Sequence, residues 1–142
     1  MRSQLVAVAA ALLVANSCGD DRRLVDPDFG YVDIVLTLDW PMAREDGFVA
    51  TRWSALSLYP AFLIEGEFDA NGLALIEFTD ACTLGEPLLV MINYEGHYTA
   101  AQPGTEECRG GIYESDHVLC TASPQTFVAP RPEGPGCQRP DS

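Results

Sequence analysis

Only two histidines, His97 and His117, stand among 21 acidic residues and 8 arginines in this 142-residue chain, which contains no lysine. A serine triad or a histidine-based metal site must therefore use one or both of them. Glu114, Asp116 and His117 cluster between Ile112 and Val118. In an extended strand, however, Glu114 and Asp116 share one face and His117 takes the other, so three ligands do not converge. His97 follows Gly96 and precedes Tyr98, the setting of a turn residue rather than a base. Gly-x-Ser-x-Gly is missing, and Gly110-Gly111 alone makes no phosphate loop. Glu65 and Glu77, opposed across an expected hairpin, could attract Ca²⁺, but a flat sheet offers too few of the roughly six to eight oxygens that ion takes. Asp20, Asp21, Asp26 and Asp28 lack the glycine-punctuated spacing of an EF-hand. The expectation is a chain with no catalytic residues, no metal ligands and no cofactor. The alternative is a secreted hydrolase or metal-dependent enzyme using His97 or His117 with acidic neighbours; a concave pocket holding both would mark it.

Aromatic residues offer a second kind of chemistry. Trp53, Tyr94 and Tyr98, with Tyr59 and Tyr113, could stack on the apolar faces of sugars while nearby carboxylates accept hydroxyl hydrogen bonds. The competing reading places Trp53 and Tyr94 in the core, where β sequences usually put large rings.

The five cysteines are Cys18, Cys82, Cys108, Cys120 and Cys137. Their spacing lacks the short pairs of a zinc ribbon or finger. Cys18 follows a distinctive leader: Arg2, an unbroken apolar stretch of 11 residues from Leu5 to Ala15, then Ser17. That stretch is short of the ~20 residues a bilayer-spanning helix needs, but it suits a secretory signal. Residues 1–17 thus read as a signal peptide, and the segment resembles a bacterial lipoprotein signal ending at the cysteine that becomes lipid-modified. Ala15 stands where that family has leucine, and ordinary signal peptidase could cut the same bond after Ser17. Lipid on Cys18 leaves Cys82, Cys108, Cys120 and Cys137, an even number fit for two disulfides in an oxidising compartment. Three connectivities remain open. The resemblance implies an exported, membrane-anchored lipoprotein of the cell envelope, periplasmic or at the surface, whose membrane partner is engaged through Cys18.

A net charge of −13 argues against nucleic acid, which needs clustered cations, and against a basic lipid-reading patch. With 47% hydrophobic residues the chain can bury a core. Residues 18–30 read as a lipid-anchored tether, 31–129 as the domain, and 130–142 as a Pro/Gly-rich tail that Cys137 staples back. Between Tyr31 and Trp40, Val32, Ile34, Leu36, Leu38 and Trp40 alternate with Asp33, Thr37 and Asp39, which predicts a strand with one buried face, ended by Pro41. Phe48 to Tyr59 fits a strand or a short helix. Phe62 to Phe78 reads as a hairpin with a three-residue loop, Ala70-Asn71-Gly72, pairing Phe68 with Ala74, Gly66 with Ile76 and Ile64 with Phe78. Leu88 to Tyr94 reads as a central strand, apolar on both faces apart from Asn93, and Glu95-Gly96 as a turn. Short strands are expected near Ile112 to Glu114, Val118 to Thr121 and Thr126 to Ala129. The fold class is all-β: an antiparallel β-sandwich of about seven strands, stapled by disulfides.

The run from Glu65 to Ile76, with Leu88 to Tyr94 and Glu95-Gly96-His97-Tyr98, resembles the later part of transthyretin-like and carboxypeptidase-regulatory-like β-sandwich modules. That resemblance implies an accessory or adhesion module without catalytic residues. The reading of the whole chain is a small, acidic, lipid-anchored binding or structural module, with an envelope protein or polysaccharide as partner.

Overall fold

The computed structural model describes residues 30–58, 61–112 and 118–141. The expected signal peptide, the tether with Cys18, and Tyr59, Tyr113, Glu114, Asp116 and His117 lie outside the described residues. Seven strands follow in order: β1 (Tyr31–Asp39), β2 (Phe48–Leu58), β3 (Ala61–Glu67), β4 (Leu73–Thr83), β5 (Val90–Tyr98), β6 (Cys108–Ile112) and β7 (Gln125–Val128). They form a β-sandwich of a three-stranded sheet, β4-β1-β7, and a four-stranded sheet, β3-β2-β5-β6. All neighbours are antiparallel except β1 and β7, which run parallel.

β1 behaves as its alternation predicts. Ile34, Leu36 and Leu38 are fully buried, and Trp40 closes the row before Pro41 opens a 3₁₀ turn over Pro41–Arg44. Burying each of these aliphatic side chains contributes about 1.5–3 kcal/mol. Trp40 sits between the sheets, edge-on to Phe48 and Tyr94 with ring centroids 5.0 and 4.8 Å away. β2 is a strand throughout.

The expected hairpin is a correction. β3 pairs with β2 and β4 pairs with β1, so the two strands lie in different sheets. The turn itself forms: Gly72 takes φ +76°, and Asp69 donates its N–H to the Leu73 carbonyl at 2.9 Å. Phe62 and Ile64 still face the core, as Ile76 and Phe78 do from the other sheet, and the Phe62 and Phe78 rings lie 4.7 Å apart. A β3–β4 ladder is limited to the seven residues of β3, whereas β4 pairs with β1 from Tyr31–Thr83 to Asp39–Leu73, and β2 takes β3 on one edge and β5 on the other. Glu65 and Glu77 consequently lie on different sheets and do not oppose one another.

Two further expectations change. β5 continues through Glu95-Gly96 to Tyr98 instead of turning, and its burial alternates, with Met91, Asn93, Glu95 and His97 on the outer face. Gly110-Gly111 lies inside β6, which begins at Cys108 rather than near Ile112. Val118 to Cys120 contributes only a bridge, Leu119 to Pro87.

Cys82–Cys120 and Cys108–Cys137 are the disulfides, separated by 38 and 29 residues. Loops of that length stabilise by about 4 kcal/mol each in the chain-entropy account. The second holds the proline-rich tail, where Arg131 pairs with Glu45 and donates to the Tyr98 hydroxyl at 3.2 Å and the Cys137 carbonyl at 3.0 Å. The Glu45 hydrogen bond, then Tyr98, raises the Arg131 pKa above its ordinary value. Its guanidinium therefore stays charged below the unfolded value, and its contribution fades only as pH rises through the raised one.

Ser57 is fully buried on β2 between Phe62 and Val90, and its hydroxyl has no hydrogen-bond partner. Ser57→Ala is expected to stabilise the protein by about 1 kcal/mol in urea titration; a loss of stability would show that the hydroxyl is paired. Gly66 abuts the Trp53 ring, and a Cβ there would stand 2.5 Å from Cζ2. Gly66→Ala is expected to cost about 1–3 kcal/mol in the same titration.

Candidate functional site

The four-stranded sheet carries a repeating cross-strand pattern. One inward row reads Gly66, Trp53, Tyr94, Gly110 from β3 through β2 and β5 to β6. Both large rings point into the sandwich, and the flanking glycines leave them room: a Cβ at Gly110 would stand 2.5 Å from the Tyr94 ring. The Trp53 indole donates to the Glu67 carbonyl at 3.1 Å, and the Tyr94 hydroxyl to the Pro130 carbonyl at 2.9 Å. Each polar tip is thus satisfied inside the fold.

Strand alternation sends the neighbours of these rings outward. The first outer row is Glu67, Arg52, Glu95, Arg109, and the second is Glu65, Ser54, Asn93, Gly111. A register shift between Ala50 and Arg52 brings Arg52 to this face, and the Thr51 hydroxyl there donates to the Glu95 carbonyl at 3.0 Å. Glu95 is the hub. Arg52 Nε donates to its Oε1 at 2.8 Å, Arg52 Nη2 lies 2.7 Å from the same oxygen, and Arg109 Nε lies 3.4 Å from Oε2. The Glu95 side chain is only 19% exposed, whereas both arginines are largely in solvent.

The two rows line an open depression of about 870 Å³, with Trp53, Tyr94, Gly66 and Gly110 contributing to its floor. Donors and acceptors alternate across it, with two guanidiniums, the Asn93 amide and the Ser54 hydroxyl set against three carboxylates. Such a surface can hydrogen-bond a hydroxyl-rich ligand on either polarity of contact.

Trp53 and Tyr94 underlie this surface with their rings turned away from it, and Tyr98 does not line it. Trp53, Tyr94 and Tyr98 are all buried, their rings sharing the core with Trp40 and Phe48. They do not form an exposed stacking platform, because alternation puts them on the packed face. His97 pairs with Val49 on the outer face of the same sheet but does not line the depression. Among the described residues no group of three or more His, Cys, Asp or Glu side chains could hold a metal ion. Sequence reasoning missed Arg52, Ser54, Glu67, Asn93, Glu95 and Arg109. Their signal was present as polar residues one step out of phase with buried rings and glycines.

No protein-family model matches this chain, and comparison with curated proteins and with solved structures finds no match.

Glu95→Gln is expected to cost about 1 kcal/mol, because Arg52 and Arg109 lose their shared carboxylate. In a double-mutant cycle the Arg52→Gln substitution should then add almost nothing; full additivity would show that the pair is not coupled.

Proposed function

We propose that this protein is an exported, lipid-anchored β-sandwich that binds a hydroxyl-rich polymer of the cell envelope on the outer face of its four-stranded sheet. The observation that carries the export half is the cysteine pairing. Four of the five cysteines are consumed in two disulfides, and the fifth is Cys18, directly behind the apolar leader. Disulfides persist in oxidising compartments, and an even set in the domain leaves Cys18 for modification. The lipoprotein-like leader then sends residues 1–17 to removal and anchors the chain through acyl groups on Cys18. The resemblance to transthyretin-like and carboxypeptidase-regulatory-like modules supports an accessory or adhesion role.

The depression supports the binding half. Its charges nearly balance within an acidic molecule, which favours a neutral polyol over a polyanion. The protein therefore retains an envelope polysaccharide near the membrane that holds it. No observation here favours the enzyme alternative: His97 stands apart from the depression, and His117 lies outside the described residues.

Intact-mass analysis of natively processed protein should give an acylated chain beginning at Cys18 with four oxidised thiols; an unprocessed, reduced chain would refute export. Binding to purified envelope polysaccharide should fall about tenfold in Arg52→Ser/Arg109→Ser protein, measured well below its melting temperature so that both proteins are folded. Unaltered polysaccharide binding, or capture of an envelope protein instead, would overturn the ligand assignment.

A further inference from the structure

The outer face of the four-stranded sheet does not stay polar beyond the depression. Successive outward residues on one strand lie about 6.6 Å apart, twice the rise per residue. One such step on from Glu65, Ser54 and Asn93 brings Leu63, Leu56 and Met91 into a cross-strand row, with Leu56 pairing to Leu63 on β3 and to Met91 on β5. Leu63 is 58% exposed, while Leu56 and Met91 are half-buried. The next pair, Leu58 with Ala61, is also apolar and exposed. None of these residues lines the depression itself. On the depression's opposite side the next outer pair is Val49 with His97, which sets an imidazole beside one valine and makes no apolar row.

A boundary between polar and apolar side chains therefore crosses the sheet from β3 through β2 to β5. At that boundary stand the Glu65 carboxylate, the Ser54 hydroxyl and the Asn93 carboxamide. The hydroxyl and the carboxamide each donate and accept, whereas the carboxylate only accepts. The ligand group that suits this edge is small, carries one N–H and one C=O, and ends in an apolar cap. A bare hydroxyl has no cap, and an ester lacks the donor. A carboxylate would meet Glu65 at like charge. The row from Leu63 to Met91 spans two strand spacings, about 9.6 Å, which a long alkyl chain would overrun.

We propose that the Leu63–Leu56–Met91 row is a subsite for the acetamido groups of an N-acetylated amino-sugar polymer, with the methyl against the row and the amide against Asn93, Ser54 and Glu65. This rests on the reading of the depression as a polyol site and narrows it to one sugar class. Such a sugar is neutral, in keeping with the nearly balanced charges beside it. An acetamido arm leaving a ring over Glu65, Ser54 and Asn93 crosses only part of one row step to set its methyl on the apolar side chains.

Chitotetraose and cellotetraose test this, because they share length and linkage and differ only in carrying acetamido or hydroxyl on the second carbon of each ring. In calorimetric titration of the full-length protein with both disulfides intact, chitotetraose should bind about tenfold more tightly. In Leu63→Ser/Met91→Ser protein that ratio should fall close to one. Loss of folded protein weakens both sugars alike, so the ratio reads the subsite and not the stability. Equal binding of the two sugars, or a chitotetraose preference that the double substitution leaves intact, would overturn the subsite while keeping the polyol reading. Failure of both tetrasaccharides beside a purified envelope polysaccharide that binds would overturn the subsite in the same way. Failure of all three would remove the polyol reading together with it.

Discussion

The alternation of β2 and β5 governs the rest of this molecule. Trp53 and Tyr94 face inward from paired positions, and the bulk of their rings forbids either strand from slipping by one residue. Gly66 and Gly110 complete the row at the sheet's two outer strands, because no side chain could share that space. With the rings held inside, Arg52, Glu95 and Arg109 have no choice but the outer face. The ionic row is thus a consequence of core packing, and the depression is built on the back of the aromatic cluster.

Covalent ties then attach what the ladders leave loose. Cys82–Cys120 joins the end of β4 to the segment before β7, where the described pairing is a single bridge. Cys108–Cys137 joins the start of β6 to a tail whose prolines remove the N–H donors a ladder requires. Arg131 reinforces that second staple through Glu45 and Tyr98, linking the tail to the turn before β2 and the end of β5. Loss of apolar area in a small domain makes such ties a large share of net stability.

Much of the fold was legible residue by residue. The strict alternation in β1, the left-handed glycine after Asn71, and the even set of four cysteines each reported a local physical demand correctly. Errors arose where two partners satisfied the same local demand. Phe62 to Phe78 has the pattern of a hairpin, and its inward face is the one expected, but side-by-side and face-to-face pairing bury the same side chains. Glu95-Gly96 has turn composition, yet Gly96 packs beneath Phe48 within a straight strand. The candidate site suffered similarly: the rings attracted notice as ligand platforms, while their polar neighbours held the exposed face.

Amino-acid order alone determined that this chain makes strands, which face of β1 is greasy, and that four cysteines suit two bridges. Those are properties of neighbours in sequence, expressed through a two-residue period and simple parity. Which strands share a sheet, which cysteines join, and the meeting of Arg52, Glu95 and Arg109 were decided only on folding. Contacts between residues tens of positions apart, 29 and 38 for the disulfides and 43 for Arg52 with Glu95, depend on competition among whole ladders, and no local pattern encodes the winner.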